Sequence, residues 1–226
     1  MWRGRLLTAF KGFPLSLFEF RKIEKDDPCF VDVLALRYKV YCEERGFEKP
    51  EDHPDGLEKD EYDDHSVHFA AILKHNQKVV GTVRLILHSE KLFPIEHSFE
   101  FNRNLKDLRR EKLGEVSRLA LSRCYCRELR GGVLRANSQV GELVNGLLRC
   151  LVQEGLERGL SHFYAVMARG LPILLARKKI FFAQIGPEKE YHGLRAPYLG
   201  TVRDVLSRNP QFFCAGLEQP LVGSVA

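Results

Sequence analysis

No stretch of this 226-residue chain approaches the ~20 consecutive apolar residues that span a bilayer. The opening MWRGRLLTAFKGFPLSLF is basic and apolar by turns. It has neither a continuous apolar core nor a small-residue cleavage site, which argues against a secretory signal. It could still touch a membrane surface peripherally. The six cysteines, at 29, 42, 124, 126, 150 and 214, form no regular framework. Cys29, Cys42 and Cys150 fall in apolar helical patterns, where a reduced thiol packs as a small hydrophobe. Cys124 and Cys126 stand one residue apart with no nearby His and no second pair at finger spacing, so no metal site is expected. A reducing cytoplasm is the expected location. Repeats and linkers are also lacking. The chain reads as one domain over 1–226, with 1–14 and 220–226 loosely ordered.

What the chain does have is unevenly placed charge. Residues 1–100 carry 15 Lys/Arg against 19 Asp/Glu, and the remainder 20 against 11, so a −4 half precedes a +9 half within the net +5. A basic C-terminal half suits an acidic partner. The basic residues of 123–139 lack interleaved aromatics apart from Tyr125, which speaks against nucleic acid. The pattern predicts a strand over 16–23, then a helix opened by Asp26-Asp27-Pro28 and running to about Glu44, with Gly46 as its terminator. Arg37 and Tyr41 fall on that helix's apolar stripe. The acidic, proline-broken run from Phe47 to His65 reads as a long ordered loop. Strands over 65–73 and 79–87 make a hairpin, and 88–113 is irregular with a short helix at 105–112. A strand follows at 114–123, then a helix from Val140 to Leu156 capped by Ser138. After them come a strand at 161–167, a helix at 171–179, two closing strands from FFAQIGP and YHGLRAPYLGTV, and a last helical turn at 203–207. These elements predict an α/β (α+β) domain, a central mixed twisted sheet flanked by helices, with a βαβ unit at its heart.

The segment GEVSRLALSR (114–123) stands out because a buried strand carries charges there. Period-2 alternation puts Glu115, Ser117, Leu119 and Leu121 on one face and Val116, Arg118 and Ala120 on the other. A buried carboxylate and guanidinium both need partners. Arg84 on the preceding strand and Asp60 and Asp63 in the acidic loop are available.

Several motifs taken together resemble a family. Arg37-x-x-x-Tyr41, Asp60-Glu61-Tyr62-Asp63, Gly81-x-x-Arg84-Leu85 and Glu115-x-Ser117-Arg118 occur in order over 30–120. They resemble the acyl-homoserine-lactone synthases, members of the GNAT acyltransferase superfamily that take acyl chains from acyl carrier protein. RYKVYCEERGFE, PDGLEKDEYDDHSVHF, FPIE, HFYAVM and IGPEKEYHGLRAP extend the likeness over most of the chain. There it is similar to the exosortase-associated (PEP-CTERM system) acyltransferases, relatives of the bacterial N-acyl amino acid synthases. Phe47 stands where the lactone synthases carry a tryptophan. The resemblance implies a GNAT-like acyl-CoA N-acyltransferase fold.

That chemistry assigns roles. Glu115 is the candidate general base, and the Leu119 and Ala120 backbone N–H groups would hold the oxyanion if the strand bulges. Ser117 would orient the acyl carbonyl or the amine. Arg37, Tyr41, Phe47, Asp60, Asp63, Arg84 and Arg118 are the substrate-binding set. The arginines would grip a substrate carboxylate or lock the acidic loop. His68, His162 and His192 form no Cys–His or Ser–His–Asp set, and Tyr191 and His192 are singled out by the resemblance alone. The superfamily's CoA-cradling loop has no match, since Arg127 to Gly132 reads RELRGG. No tightly bound cofactor is expected. The donor reading is the acyl-phosphopantetheine of acyl carrier protein rather than acyl-CoA, with Arg127, Arg130 and Arg135 toward the carrier and a small-molecule amine as acceptor. Two alternatives stand beside this one: a lactone signal synthase using S-adenosylmethionine, and a non-catalytic acyl-chain or acyl-carrier binding module. A binder would have no need of Glu115. Reversing Arg127 and Arg130 to glutamate is expected to weaken binding of an acylated carrier protein and flatten its salt dependence, measured by titration at several ionic strengths.

Overall fold

The computed structural model describes residues 16–102, 104–122, 125 and 133–210, with side chains in the last stretch from residue 139 onward. Eight strands make one sheet. β1 (Phe18–Ile23) pairs antiparallel with β2 (Ser66–Leu73), β2 with β3 (Val79–Leu87), and β3 with β4 (Leu113–Leu121). β4 then pairs parallel with β5 (His162–Met167), the crossover being made by α3 (Val133–Glu157). β8 (Leu194–Thr201) lies antiparallel beside β5. The two-residue β6 (Ala183–Gln184) and β7 (Lys189–Glu190) both pair with β8. This is the mixed sheet that the motif pattern predicts.

Alternation along β2 shows how the two faces are filled. Phe69, Ala71 and Leu73 join Val83, Leu85, Leu143, Leu147, Leu151 and Phe163 in the larger core under α3, closed by α4 (Gly170–Arg177) and α5 (Val202–Arg208). The α3 stripe keeps helical spacing, and each fully buried Leu or Val contributes roughly 1.5–3 kcal/mol. Ala70 and Ile72 face the other way, against Val33 and Leu36 of α1 (Cys29–Tyr38). Further along that second face, α2 (Pro94–Ser98) brings Ile95 against Ile86, Leu113 and Tyr164. Between these two apolar patches the second face carries charge.

Several local expectations are corrected. α3 starts at Val133, not Val140, so Ser138 lies inside the helix and does not cap it. The segment VLRANSQ has good helix formers and no proline to stop the helix extending backwards. The region 88–113 holds α2, which the pattern did not predict, and only a single 3₁₀ turn at Arg110–Lys112 where a longer helix was expected. Pro94 opens α2, and the Glu96 side chain accepts from Phe93 N at 2.9 Å, a five-residue device too short to leave a periodic signature. FFAQIGP contributes only the two residues of β6. α1 passes into a π-helical turn at Lys39–Glu44 and ends with Gly46 at φ +61°, the left-handed terminator that the sequence suggests. The segments 1–14 and 220–226 lie outside the described residues.

One feature of the sheet positions everything below. β4 and β5 pair only over Leu113–Val116 and His162–Ala165. Past Val116 the ladder between them ends while both strands continue, and the sheet opens.

Candidate active site

β4 bulges where it leaves β5. Arg84 of β3 faces Ser117 and Thr82 faces Ala120, so Arg118 and Leu119 together oppose the single residue Val83. Arg118 takes up the extra length at φ +50°, an uncommon backbone state for a side chain with a Cβ. The bulge shifts the alternation by one. Glu115, Ser117, Arg118 and Ala120 face α1 and α2, while Val116, Leu119 and Leu121 turn into the core under α3. The expectation that Leu119 and Leu121 share Glu115's face, with Arg118 opposite, is therefore corrected. Strict period 2 fails because the strand contains one residue more than its neighbour.

Three arginines on that face are bound by carboxylates of the acidic loop. Arg37, wholly buried, donates through Nε to Glu58 at 2.6 Å and through its Nη atoms to Asp63 at 2.7 and 3.2 Å. Arg84 forks onto Asp60 at 2.6 and 2.9 Å, reaches Asp63 at 2.6 Å, and donates through Nε to Ser117 Oγ at 3.0 Å. Arg118 donates to Glu58, Asp60 and Glu48 at 2.9–3.2 Å while its guanidinium lies over the Tyr41 ring. Burial by itself would raise the Glu58 carboxyl. The Arg37 and Arg118 charges reverse that and hold it down at about 2. Asp63 is likewise lowered, burial being outweighed by Arg37 and Arg84. His68 is buried behind this network, edge-on to Phe30 and 3.6 Å from Asp63, with neither ring nitrogen hydrogen-bonded among the described residues; burial, outweighing Asp63, lowers it to about 4 and keeps it neutral.

Glu115 behaves in the opposite way. It is buried, and among the described residues its one hydrogen bond is from Ile95 N at the start of α2, 3.0 Å away. Burial dominates, outweighing that bond and the Arg84 and Arg118 charges, and pushes the carboxyl up to about 8. One strand thus holds a base-like carboxylic acid two residues from a hydroxyl and three from a bound guanidinium.

A cavity of about 1070 Å³, at the top of the ~300–1,000 Å³ range of small-ligand sites, runs through the opening between β4 and β5. Its polar end is lined by Tyr41, Phe47, Arg84, Glu115, Ser117 and Arg195. Its apolar end passes Val116 and Leu119 into a bore between α3, α4 and β5, walled by Val144, Leu148, Leu151, Phe163 and Met167. Of the residues singled out from the sequence, Glu115, Ser117, Leu119, Tyr41, Phe47, Asp60, Arg84 and Arg118 line the cavity. Ala120 does not: it re-enters the ladder opposite Thr82 and packs against α1. Arg37 and Asp63 stand behind the wall as supports. Arg127 and Arg130 lie outside the described residues, as does the Arg135 side chain. Among the described residues, no cluster of His, Cys, Asp and Glu is placed to hold a metal.

Sequence reasoning missed Glu58, Glu48 and Arg195. A count of partners pointed to the first, since three arginines against two aspartates leave a guanidinium short. Arg195 had no such signal, because what distinguishes it is that no carboxylate among the described residues pairs with it. Tyr191 and His192 also lie at the polar end, with His192 Nδ1 on the Phe47 carbonyl.

Residues 36–132 match the model of a family described as an acetyltransferase (GNAT) domain. No curated protein matches the chain. Among solved structures, TofI in a ternary complex with an inhibitor and MTA superposes with a TM-score of 0.64 at 18% identity, over 84% of this chain and 95% of its own. BjaI, a CoA-dependent acyl-homoserine lactone synthase solved with SAM and isopentyl-CoA, gives 0.64 at 17%, over 86% and 89%. FeeM, an N-acyl amino acid synthase from uncultured soil microbes, gives 0.60 at 18%, over 87% and 97%. The chain has a GNAT-like fold.

Two stability measurements follow from the charges. Asp63→Ala leaves Arg37 and Arg84 short of a buried partner and is expected to cost roughly 3–5 kcal/mol in urea unfolding. It should also speed amide exchange across 58–65. Glu115 titrates with the opposite sign to Glu58. Its pKa is raised from 4.5 to about 8, so its contribution is complete below pH 4.5 and is lost as pH rises through 8. Unfolding free energies of wild type and Glu115→Gln, compared between pH 5 and 8, should shift progressively in favour of the variant.

Proposed function

We propose that the protein is an N-acyltransferase that moves a long-chain fatty acyl group from acyl carrier protein to the amine of an amino acid or similar small molecule. The observation that carries this reading is the single cavity that joins an apolar bore to a buried carboxyl of raised pKa. A fatty chain suits the bore. The thioester carbonyl would then lie at the β4 opening, beside the bulge, and the amine at the polar end.

The chemistry needs a neutral amine and a stabilised oxyanion. Glu115, half ionised near pH 8, takes a proton from the amine nitrogen. The nitrogen bonds to the thioester carbon, the C–S bond breaks, and the departing sulfur ends as a thiol with the proton that the amine gave up. Arg118 and Leu119 have no partner in the register of either neighbouring strand, which supports their backbone N–H groups as the oxyanion donors. Leu119 suits this role better than Ala120, which is back in the ladder. Ser117, fixed by Arg84 Nε, is placed to orient the acceptor.

A carrier-protein donor is favoured by the missing CoA loop and the basic half of the chain. The exosortase-associated branch is favoured by the IGPEKEYHGLRAP segment. The second reading, a lactone synthase, draws on the likeness to BjaI and would need S-adenosylmethionine at the polar end.

Mass spectrometry of lipid extracts from a bacterium expressing the protein, beside a Glu115→Gln control, tests the proposal. N-acyl amino acids should accumulate with wild type. With purified acyl carrier protein as donor, the folded variant should turn over about a hundredfold slower or worse. Unchanged turnover would remove Glu115 from the mechanism, and lactones dependent on S-adenosylmethionine would install the second reading.

A further inference from the structure

The arginines that the sequence offers for a substrate carboxylate are already taken. Arg37, Arg84 and Arg118 are each bound by at least two carboxylates of the chain itself. Arg195, at the start of β8, is different. Its guanidinium lies 4.5 Å from the Phe47 ring centre, and its Nε donates to the His192 carbonyl at 3.2 Å. Among the described residues no carboxylate stands within ion-pair distance of it, and its two Nη groups have no hydrogen-bond partner. It lines the polar end of the cavity together with Tyr41, Arg118 and Glu115.

We infer that the Arg195 guanidinium receives the carboxylate of the amine acceptor, which makes the acceptor class α-amino acids rather than simple amines. The inference rests on the N-acyltransferase reading for where the amine must go. In an α-amino acid one carbon separates amine from carboxylate, so the group that grips the carboxylate must share an end of the cavity with Glu115, as Arg195 does. The Phe47 ring covers one side of the guanidinium, and the bond to His192 uses only Nε. The remaining edge presents two parallel N–H groups, the geometry that binds a carboxylate bidentately. Burial lowers Arg195, as expected for a cation held off water with Arg118 and Arg45 nearby. An incoming carboxylate relieves that repulsion, whereas a diamine or polyamine would add to it. The Phe47 to Glu48 turn is itself attached to the β7–β8 connection through His192, so the two walls of this subsite are held together.

The test is calorimetric titration of a panel of α-amino acids, each beside its carboxamide and its decarboxylated amine, into wild type, Arg195→Gln and Arg195→Lys. The expected result is at least one amino acid that binds wild type roughly 10–100-fold tighter than its carboxamide. Arg195→Gln should abolish that preference without weakening the carboxamide, and Arg195→Lys should restore part of it. The inference is overturned if no amino acid outbinds its carboxamide, or if Arg195→Gln weakens acid and amide alike. It is also overturned if the variant raises only the KM for the acyl-carrier donor, which would give Arg195 to the donor's phosphate. Acyl transfer is followed in parallel. Bound amino acids that are never acylated would remove the N-acyltransferase reading and leave the carboxylate subsite standing.

Discussion

Arg118 can keep a left-handed backbone only because its side chain is held from several directions. Such a residue costs roughly 1–3 kcal/mol where nothing compensates. Here Glu58, Asp60 and Glu48 bind the guanidinium and Tyr41 lies beneath it. Removing the bulge would give β4 unbroken alternation. Arg118 would then point into the apolar core and Leu119 toward the charges, two burials without compensation. The bulge and the ion network are therefore one structure. The acidic loop is ordered by the arginines, and the arginines are buried at tolerable cost because the loop is ordered. His68 fits the same balance, since a protonated ring there would set a further cation against Arg37 and Arg84.

The same network leaves two buried carboxyls in opposite environments, Glu58 on the acidic loop and Glu115 on β4. Glu58 is surrounded by guanidinium groups and is held ionised far into acid. Among the described residues Glu115 has a single backbone donor and no ion-pair partner, and burial makes it resist ionisation. Opposite shifts from one kind of side chain come from the neighbours each meets, Arg37 and Arg118 hydrogen-bonded to Glu58 and only a backbone N–H on Glu115 among the described residues. Such divergence is the physical mark of groups with different tasks.

Much of this was legible in the sequence, and the failures have physical causes. The sheet, the hairpin and the βαβ unit follow from apolar runs and the turn signals between them, because strands buried on both faces read as nearly continuous apolar segments. That Asp60 and Asp63 would bind arginines such as Arg84 follows from the rule that buried charge is matched, though Glu58, the other partner of Arg37, did not. The bulge did not follow, since one added residue leaves no mark on composition and reverses every later facing. α2 was too short to show a period. The early start of α3 was hidden by the polar residues Asn137 and Ser138, which read equally well as a cap. The proposed role of Arg195 rests on there being no paired carboxylate among the described residues, and that leaves no trace in a linear chain.

The short β4–β5 ladder has a consequence for how such a molecule can change over time. Because the sheet opens after four paired residues, one hollow reaches from one side of the sheet to the other. Its two ends are built by different parts of the chain: α3, α4 and β5 wall the bore, while the 41–48 turn and the β7–β8 connection wall the polar chamber. The bulged strand is the part common to both. Substitutions that lengthen or narrow the bore leave the chamber's walls untouched, and the reverse holds too. The architecture therefore keeps the two ends heritable apart, each free to drift while the strand between them stays fixed.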